Sequence, residues 1–308
     1  MMDFSTHTWI MGILNVTQDS FSGDGMMKEK DVVNAALQKA RDFISDGADI
    51  LDVGGESTRP GAEPVSLQQE LDRVIPVIEA LRDQMDAPIS VDTYKSEVAK
   101  SALKAGASWI NDVWGLRADP RMAEVAAGSK APVVLMHNRS KPAQAELQSH
   151  LGGRYVGVDY NDLLADVKRE LMESVELARA AGVLDEQIIL DPGIGFGKTV
   201  EQNLELINRL DEIKALGFPV LLGVSRKSFI GYTLNSPPGE RLEGTAAACS
   251  VGILRGVDIL RVHDVRFMAQ VARMTDAIIG KTGRKSRSSR DPRSFLLWSF
   301  SSSARCCF

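Results

Sequence analysis

The chain has 308 residues, 44% hydrophobic and 25% charged, enough to bury one sizeable core and typical of an α/β barrel that forms one domain. Its 36 basic and 41 acidic residues give a net charge of −5 at pH 7, a balance that argues against nucleic acid as a partner. No run approaches the ~20 apolar residues of a membrane span, no basic leader opens the chain, and three cysteines make neither a disulfide framework nor a C-x-x-C pair, so a cytoplasmic protein without membrane contact is expected.

Eight short apolar runs follow in order: WIMGILNV (9–16), DILDVGG (49–55), PISVDT (88–93), WINDV (109–113), PVVLMH (132–137), IILDPG (188–193), PVLLGVS (219–225) and ILRVHD (259–264). Helical periodicity fills the spaces between them, as in Val32, Val33, Ala36, Leu37, Ala40, Phe43 and Ile44, or Leu71, Val74, Ile75, Ile78, Leu81 and Met85. Ser66 and Gln69 have the spacing of a capping box before the second of these. Gly47, Gly106, Gly128, Gly182, Gly217 and Gly256 each stand where a helix returns into a strand, the place of a left-handed cap. Eight regular βα units with strands apolar throughout predict a closed parallel (β/α)8 TIM barrel over residues 1–280. An open doubly wound sheet is the rival, but it seldom has eight such units. Residues 138–160 show no pattern and are predicted to be a long loop on the active face. The Ser- and Arg-rich stretch 281–308, with seven basic residues and one acidic, is predicted to be a disordered tail.

The segment IILDPGIGFGKT (188–199) looks at first like a phosphate loop. Pro192 stands where the P-loop needs its first glycine, and Lys198 where the dinucleotide fingerprint needs its third, so neither motif fits. The residue that needs explaining is Asp191.

Barrel chemistry sits at the C-terminal ends of strands. In this chain those ends read Asn15; Glu56, Ser57, Thr58 and Arg59; Asp92; Asn111 and Asp112; His137; Asp191; Ser225, Arg226, Lys227 and Ser228; Arg261 and His263. Any one of these fits a helix cap or a loop hydrogen bond; Asp92 or Thr93, for instance, is placed to cap the helix that follows. As a set they do not, because Asp92, Asn111, Asp191 and Arg261 lie inside apolar runs where an unpaired polar group is costly. Two carboxylates and a carboxamide suit a flat heterocycle with an amino group and a ring N–H, while Asn15, Lys227, Arg261 and His263 form a separate anion-binding group. The loops 15–25 and 56–64 are placed to close over a second substrate.

The motifs MGILNVTQDSFSGDG, GADILDVGGESTRPGA, SVDTYKSEVA, INDV, LMH, LDPGIGFGKT, GVSRKSFIG, EGTAAA and LRVHDV, in order from Trp9 to Gly280, resemble the dihydropteroate synthase family. The resemblance implies condensation of 6-hydroxymethyl-7,8-dihydropterin diphosphate with 4-aminobenzoate, giving 7,8-dihydropteroate and diphosphate. It implies that Asp92, Asn111, Asp191, Lys227 and Arg261 hold the pterin between Met136 and Phe196, with Asp92, Asp191, Lys227 and Arg261 as the catalytic set. Asn15, Arg261 and His263 would hold the diphosphate, Asn15 also ligating Mg2+. Phe21, Thr58, Arg59, Pro60, Lys227 and Ser228 would form the aminobenzoate site, the one sulfonamides imitate. The family also implies a dissociative mechanism needing no nucleophile, with no histidine placed as a base for Ser57 or Ser225, and a homodimer paired through the last helices.

The sequence departs from the family pattern at Gln18, where proline is usual, at the order SGDG, at HNRSKPAQ after the fifth run, and in the tail. A freer φ at Gln18 predicts a more mobile first loop. Two alternatives stay open from sequence: a methyltetrahydrofolate-dependent methyltransferase, which does not require ESTRP or SRKSF, and a non-catalytic pterin-binding paralogue, in which the anion group would be the first to go.

Overall fold

The computed structural model of the protein describes residues 3–17, 29–57, 64–148, 150–156 and 159–281. Strand β1 (Trp9–Asn15) pairs with β2 (Ile50–Gly54), and parallel pairing continues through β3 (Ile89–Asp92), β4 (Trp109–Asp112), β5 (Val133–Met136) and β8 (Ile188–Asp191). On its other side β1 pairs with β10 (Ile259–Val262), which pairs with the short β9 (Leu221–Leu222). A parallel bridge between Leu190 and Val220 joins the two ends of the sheet into a barrel. Each of the eight predicted runs contributes one of these strands.

Helices return the chain along the outside: α1 (Glu29–Asp46), α2 (Leu67–Gln84), α3 (Ser96–Ala105), α4 (Met122–Ser129), α5 (Leu163–Ala180), α6 (Val200–Asn208), α7 (Leu210–Lys214), α8 (Ser228–Leu234), α9 (Leu242–Leu254) and α10 (Val265–Ile278). The capping box at α2 is formed in both directions, Gln69 N donating to Ser66 Oγ and Ser66 N to Gln69 Oε1. Five of the six predicted glycine caps have positive φ; Gly128 does not. There α4 runs on through Ser129, whose hydroxyl donates to the Ala126 carbonyl, and Lys130 takes the left-handed position at φ 57°.

The region 138–160 differs from its predicted patternless form. It carries an antiparallel hairpin, β6 (Ala145–Gln148) and β7 (Gly152–Tyr155), preceded by a turn of 3-10 helix. Its strands escape sequence reading because they are short and mostly polar, half-buried or exposed at all but one position, with no apolar alternation. Backbone contacts fasten it: Tyr232 donates its hydroxyl to Gly152 O at 3.1 Å, and the buried Arg241 donates to Leu151 O, Arg226 O and Ser236 O.

The pleat sorts each strand into two faces. Leu51, Val53, Ile89, Val91, Val133, Leu135, Ile188 and Leu190 point outward and join the helices in the larger core. Met11, Ile50, Trp109, Val134, Ile189, Leu221 and Ile259 form a second buried cluster, against which Phe4 and Trp9 pack. Two residues further along four of those strands, on the same face, stand Asp52, Asn111, Asp191 and Arg261. The inside of the barrel therefore changes from apolar to charged within one pleat repeat. The predicted residues Phe21, Thr58, Arg59 and Pro60, the departures at Gln18 and in SGDG, and the tail from 282 onward lie outside the described residues.

Candidate active site

Arg261 is the centre of the polar layer. Its Nε donates to Asp52 Oδ2 at 2.6 Å and its Nη2 donates to Asp92 Oδ2, so one guanidinium joins β10 to β2 and β3. Asn111 Nδ2 donates to the same Asp52 oxygen at 3.2 Å. Asp52 is fully buried, and an isolated carboxylate there would cost several kcal/mol; the two donors make the position tenable. A guanidinium has five N–H groups, and the two carboxylates occupy two of them, which leaves donors for an anion. Arg261, assigned from sequence both to the ring-binding set and to the anion group, is held among the carboxylates of the first set. Asp52 was absent from the predicted set, because sequence alone does not say which strand residues face the barrel axis. Its signal is its spacing, two residues after Ile50.

Burial pushes the Asp92 carboxyl up to about 7; the Arg261 guanidinium opposes the rise, and Asp52, Glu70 and Asp112 add to it. Burial also raises Asp191, against the pull of Lys227 and of the hydrogen bond that Gly193 N donates to Asp191 Oδ1 at 2.7 Å. Lys227 moves the other way, its amine brought down to about 8 by burial. Its Nζ donates to Ile194 O and sits 4.6 Å from the centre of the Phe196 ring. Met136 pairs in register with Asp191 and is buried at the end of β5. Asp92, Asn111, Met136, Asp191, Phe196, Lys227 and Arg261 are thus gathered at one end of the barrel, on β3, β4, β5, β8, β10 and the turns after β8 and β9. Asp92 makes no cap for α3: Thr93 Oγ1 accepts from Lys95 N, and Asp119 Oδ2 from Ser96 N.

The glycines of LDPGIGFGKT are explained by close approach. A Cβ at Gly193, where φ is 69°, would lie 1.8 Å from the His137 carbonyl oxygen, and one at Gly197, where φ is 60°, would lie 2.3 Å from the Arg139 carbonyl carbon. The turn after β8 is pressed against the exit of β5, and Lys198 points back into it rather than towards a phosphate: its buried Nζ reaches Gly193 O, Phe196 O and His137 Nδ1. Ahead of Lys227, Arg226 holds φ at 58°, a conformation that costs a side-chain-bearing residue about 1–2 kcal/mol. Its amide donates to Thr245 Oγ1, its carbonyl accepts from Arg241, and its guanidinium pairs with Asp264.

His263 lies beside Ser225, a proximity that the sequence reading, which placed no histidine as a base for that serine, did not foresee. Ser225 Oγ accepts from His263 N at 3.1 Å and meets Nδ1 at 3.1 Å. The hydroxyl has one proton and two lone pairs, so it can serve either ring tautomer while it accepts from the backbone amide. Ser225 is buried, so the pair orients the imidazole rather than forming a nucleophile.

At the foot of the second loop, the Glu56 carboxylate accepts from Tyr94 at 3.0 Å and from Lys95, which also reaches the buried Glu70, while Arg73 donates to Gly55 O. Asn15 ends β1 in register with Gly54. Among the described residues no group of three or more His, Cys, Asp or Glu side chains is gathered as a metal cage. A single amide oxygen fits Mg2+ only where substrate phosphate and water complete the shell, the usual manner of Mg2+ in phosphate sites.

Comparison with known proteins decides the family. Residues 11–263 match the family described as pterin binding enzyme. The dihydropteroate synthase of Bacillus subtilis (strain 168) is 52% identical over 282 residues, 92% of each chain. The crystal structure of a dihydropteroate synthase from Clostridium difficile in the presence of pteroic acid superposes with a TM-score of 0.82 at 50% identity, covering 90% of this chain and 99% of that one. That from Xanthomonas albilineans with 4-aminobenzoic acid gives 0.80 at 41% identity, covering 89% and 94%.

The chain belongs to the dihydropteroate synthase family. Dihydropteroate synthases are transferases of folate synthesis, and membership carries that activity to this chain. The barrel predicted from sequence is the fold that it shares with these dihydropteroate synthases.

Proposed function

We propose that the polar mouth of the barrel binds 6-hydroxymethyl-7,8-dihydropterin diphosphate and 4-aminobenzoate and joins them into 7,8-dihydropteroate with release of diphosphate. The observation that carries this reading is the convergence of Asp52, Asp92, Asn111 and Arg261 through shared hydrogen bonds directly above an apolar floor. A planar, donor-rich ring is satisfied by acceptors at its edge and apolar groups at its faces.

In the proposed reaction the C–O bond to the diphosphate breaks, the electron pair leaves with oxygen, and the pterin methylene becomes a resonance-stabilised cation. The arylamine nitrogen then forms the C–N bond and gives up its proton. Asp92 and Asp191 stabilise the developing positive charge, and Asn111 orients the ring edge between Met136 and Phe196. Lys227, the remaining donors of Arg261, the His263 imidazole and Asn15 face the departing diphosphate. Preorganised charge of this kind is commonly the largest single contribution to catalysis. Mg2+, held by Asn15 and substrate oxygens, would supply neutralisation of the leaving group's charge. Ser228, which opens α8 beside Lys227, together with Phe21, Thr58, Arg59 and Pro60, belongs to the aminobenzoate side of this reading.

The same reading takes residues 1–280 as the catalytic barrel and 281–308 as a tail, and places the enzyme in the cytoplasm as a homodimer. Among the described residues no helix is long and apolar enough to cross a membrane. Phe267, Met274 and Ile278 form an exposed stripe on α10, beside exposed Val251 and Leu254 of α9, the kind of patch a second copy would cover.

The test is product formation from pterin diphosphate, labelled 4-aminobenzoate and Mg2+, followed by chromatography, beside an Asp191→Ala control. Dihydropteroate made by the parent and lost by at least a hundredfold in the variant supports the reaction and the anchor. Tight pterin binding without product would leave a binding paralogue.

A further inference from the structure

Resting on the pterin reading above, we propose that Asp52 is a positioning residue, which fixes the Asn111 amide and the Arg261 guanidinium in the orientation that reads the pterin ring. The argument begins with chemistry. An ionised carboxylate only accepts hydrogen bonds, so the amide group of Asn111 that faces Asp52 Oδ2 must be its NH2. The Asn111 carbonyl oxygen is thereby turned to the other side of the amide, and the residue offers a ring an acceptor. Among the described residues Asp52 supplies the side-chain contact that distinguishes oxygen from nitrogen in Asn111, and without it the position would accept a ring acceptor as readily as a ring donor.

The same Oδ2 receives Arg261 Nε at 2.6 Å, while Asp92 takes Nη2. Two carboxylates on neighbouring strands therefore fix the plane of the guanidinium, and one alone would leave it a rotation. Asp52 itself cannot swing away, being fully buried between the backbones of β1 and β3. Its Oδ1 and the hydroxyl of Ser90, its register partner on β3, are both buried without a hydrogen-bond partner. Polar atoms left so are uncommon in a settled core and mark places committed to something other than packing.

Asp52 also belongs to the electrostatics of Asp92. The charged groups that bear on Asp92 are Arg261 from β10, Asp52 from β2, Glu70 from α2 and Asp112 from β4, with Lys227 coupled from the turn after β9. Removing the negative charge at 52 lowers Asp92 towards the ordinary carboxylate range, and freeing Arg261 to pair with Asp92 alone acts in the same direction.

The experiment compares full-length parent, Asp52→Asn and Asp52→Glu by steady-state kinetics from pH 5 to 9, with a thermal melt of each. For Asp52→Asn the expected result is a KM for pterin diphosphate raised roughly tenfold or more, an unchanged KM for 4-aminobenzoate, and an acid limb of kcat/KM displaced to lower pH. For Asp52→Glu, which keeps the charge and displaces the oxygens, the KM rises and the acid limb stays. Should Asp52→Asn fail to fold, the Glu variant carries the test alone. Parent-like kinetics, or an effect confined to the melt, assigns Asp52 to packing and overturns the proposal. A parent that makes no dihydropteroate at all sinks the reading of the reaction, a different outcome.

Discussion

His137 Nδ1 lies 2.9 Å from Lys198 Nζ, and both side chains are buried. The pair can be resolved proton by proton. Hydrogen bonds from His137 and Arg139 hold the Glu170 carboxyl below the usual range against the upward push of its own burial, so His137 Nε2 donates to it and Nδ1 is an acceptor. Burial, with Lys198 nearby, depresses His137 to about 3 and keeps the ring neutral. Burial brings the Lys198 amine well below its ordinary value, with Asp191 pulling the other way, and its Nζ stands within hydrogen-bond distance of three acceptors, His137 Nδ1, Gly193 O and Phe196 O. Lys198→Met leaves all three unsatisfied and is expected to cost about 3–5 kcal/mol of stability. Urea unfolding of ligand-free protein measures this, and a loss below about 1 kcal/mol would remove the clamp.

Two opposing shifts set the pH dependence. In the proposed reaction the Asp92 carboxyl, brought up to about 7, ionises to stabilise a cation, and the Lys227 amine, brought down to about 8, stays protonated to face an anion. For the free enzyme, kcat/KM for pterin diphosphate is therefore expected to rise through about 7 and fall above about 8. Asp92→Asn should lower the rate and abolish the rising limb. A limb that persists in that variant belongs to another group.

Gly193→Ala is expected to be among the most damaging single-methyl changes in the chain. The added carbon meets a backbone carbonyl at 1.8 Å, and φ of 69° disfavours any side chain there. A loss beyond about 4 kcal/mol is expected from a clash that cannot relax, compared with about 1 kcal/mol for backbone strain alone. The drop in melting temperature distinguishes the two.

The exposed stripe on α10 predicts the assembly. Met274 is 64% exposed, so Met274→Glu should leave the fold intact while placing a charge in the face proposed to pair. Light scattering is expected to give twice the chain mass for the parent and the single mass for the variant. A chain ending at Gly280, run alongside, should pair like the parent if the tail takes no part.

The strands were legible because both faces of a barrel strand are buried over most of its length, and apolar runs follow from that directly. Asp92, Asn111, Asp191 and Arg261 were legible for the converse reason, being polar residues inside such runs. Asp52 was not, although it too interrupts an apolar run. It lies two residues short of its strand's end, and only the register Asp52 with Ser90 shows that it faces the axis. The hairpin 145–155 was illegible because tertiary contacts from Arg241 and Tyr232, rather than any pattern of its own, hold it. Lys130 took a cap expected of Gly128 because the helix runs two residues further, through Gly128 and Ser129.

The apolar cluster beneath the charged layer makes the barrel a blind well. Trp109 stands in register with Ser90, and the described side chains that cluster with it are apolar, so a flat ligand that needs hydrogen bonds at its edge comes to rest above the tryptophan. Such a ligand can enter and leave only through the mouth, and a second molecule arriving from the same side would obstruct it. The chemistry of the floor thus fixes the order of events: whichever substrate lies deeper must bind first, and the shallower one closes the way behind it.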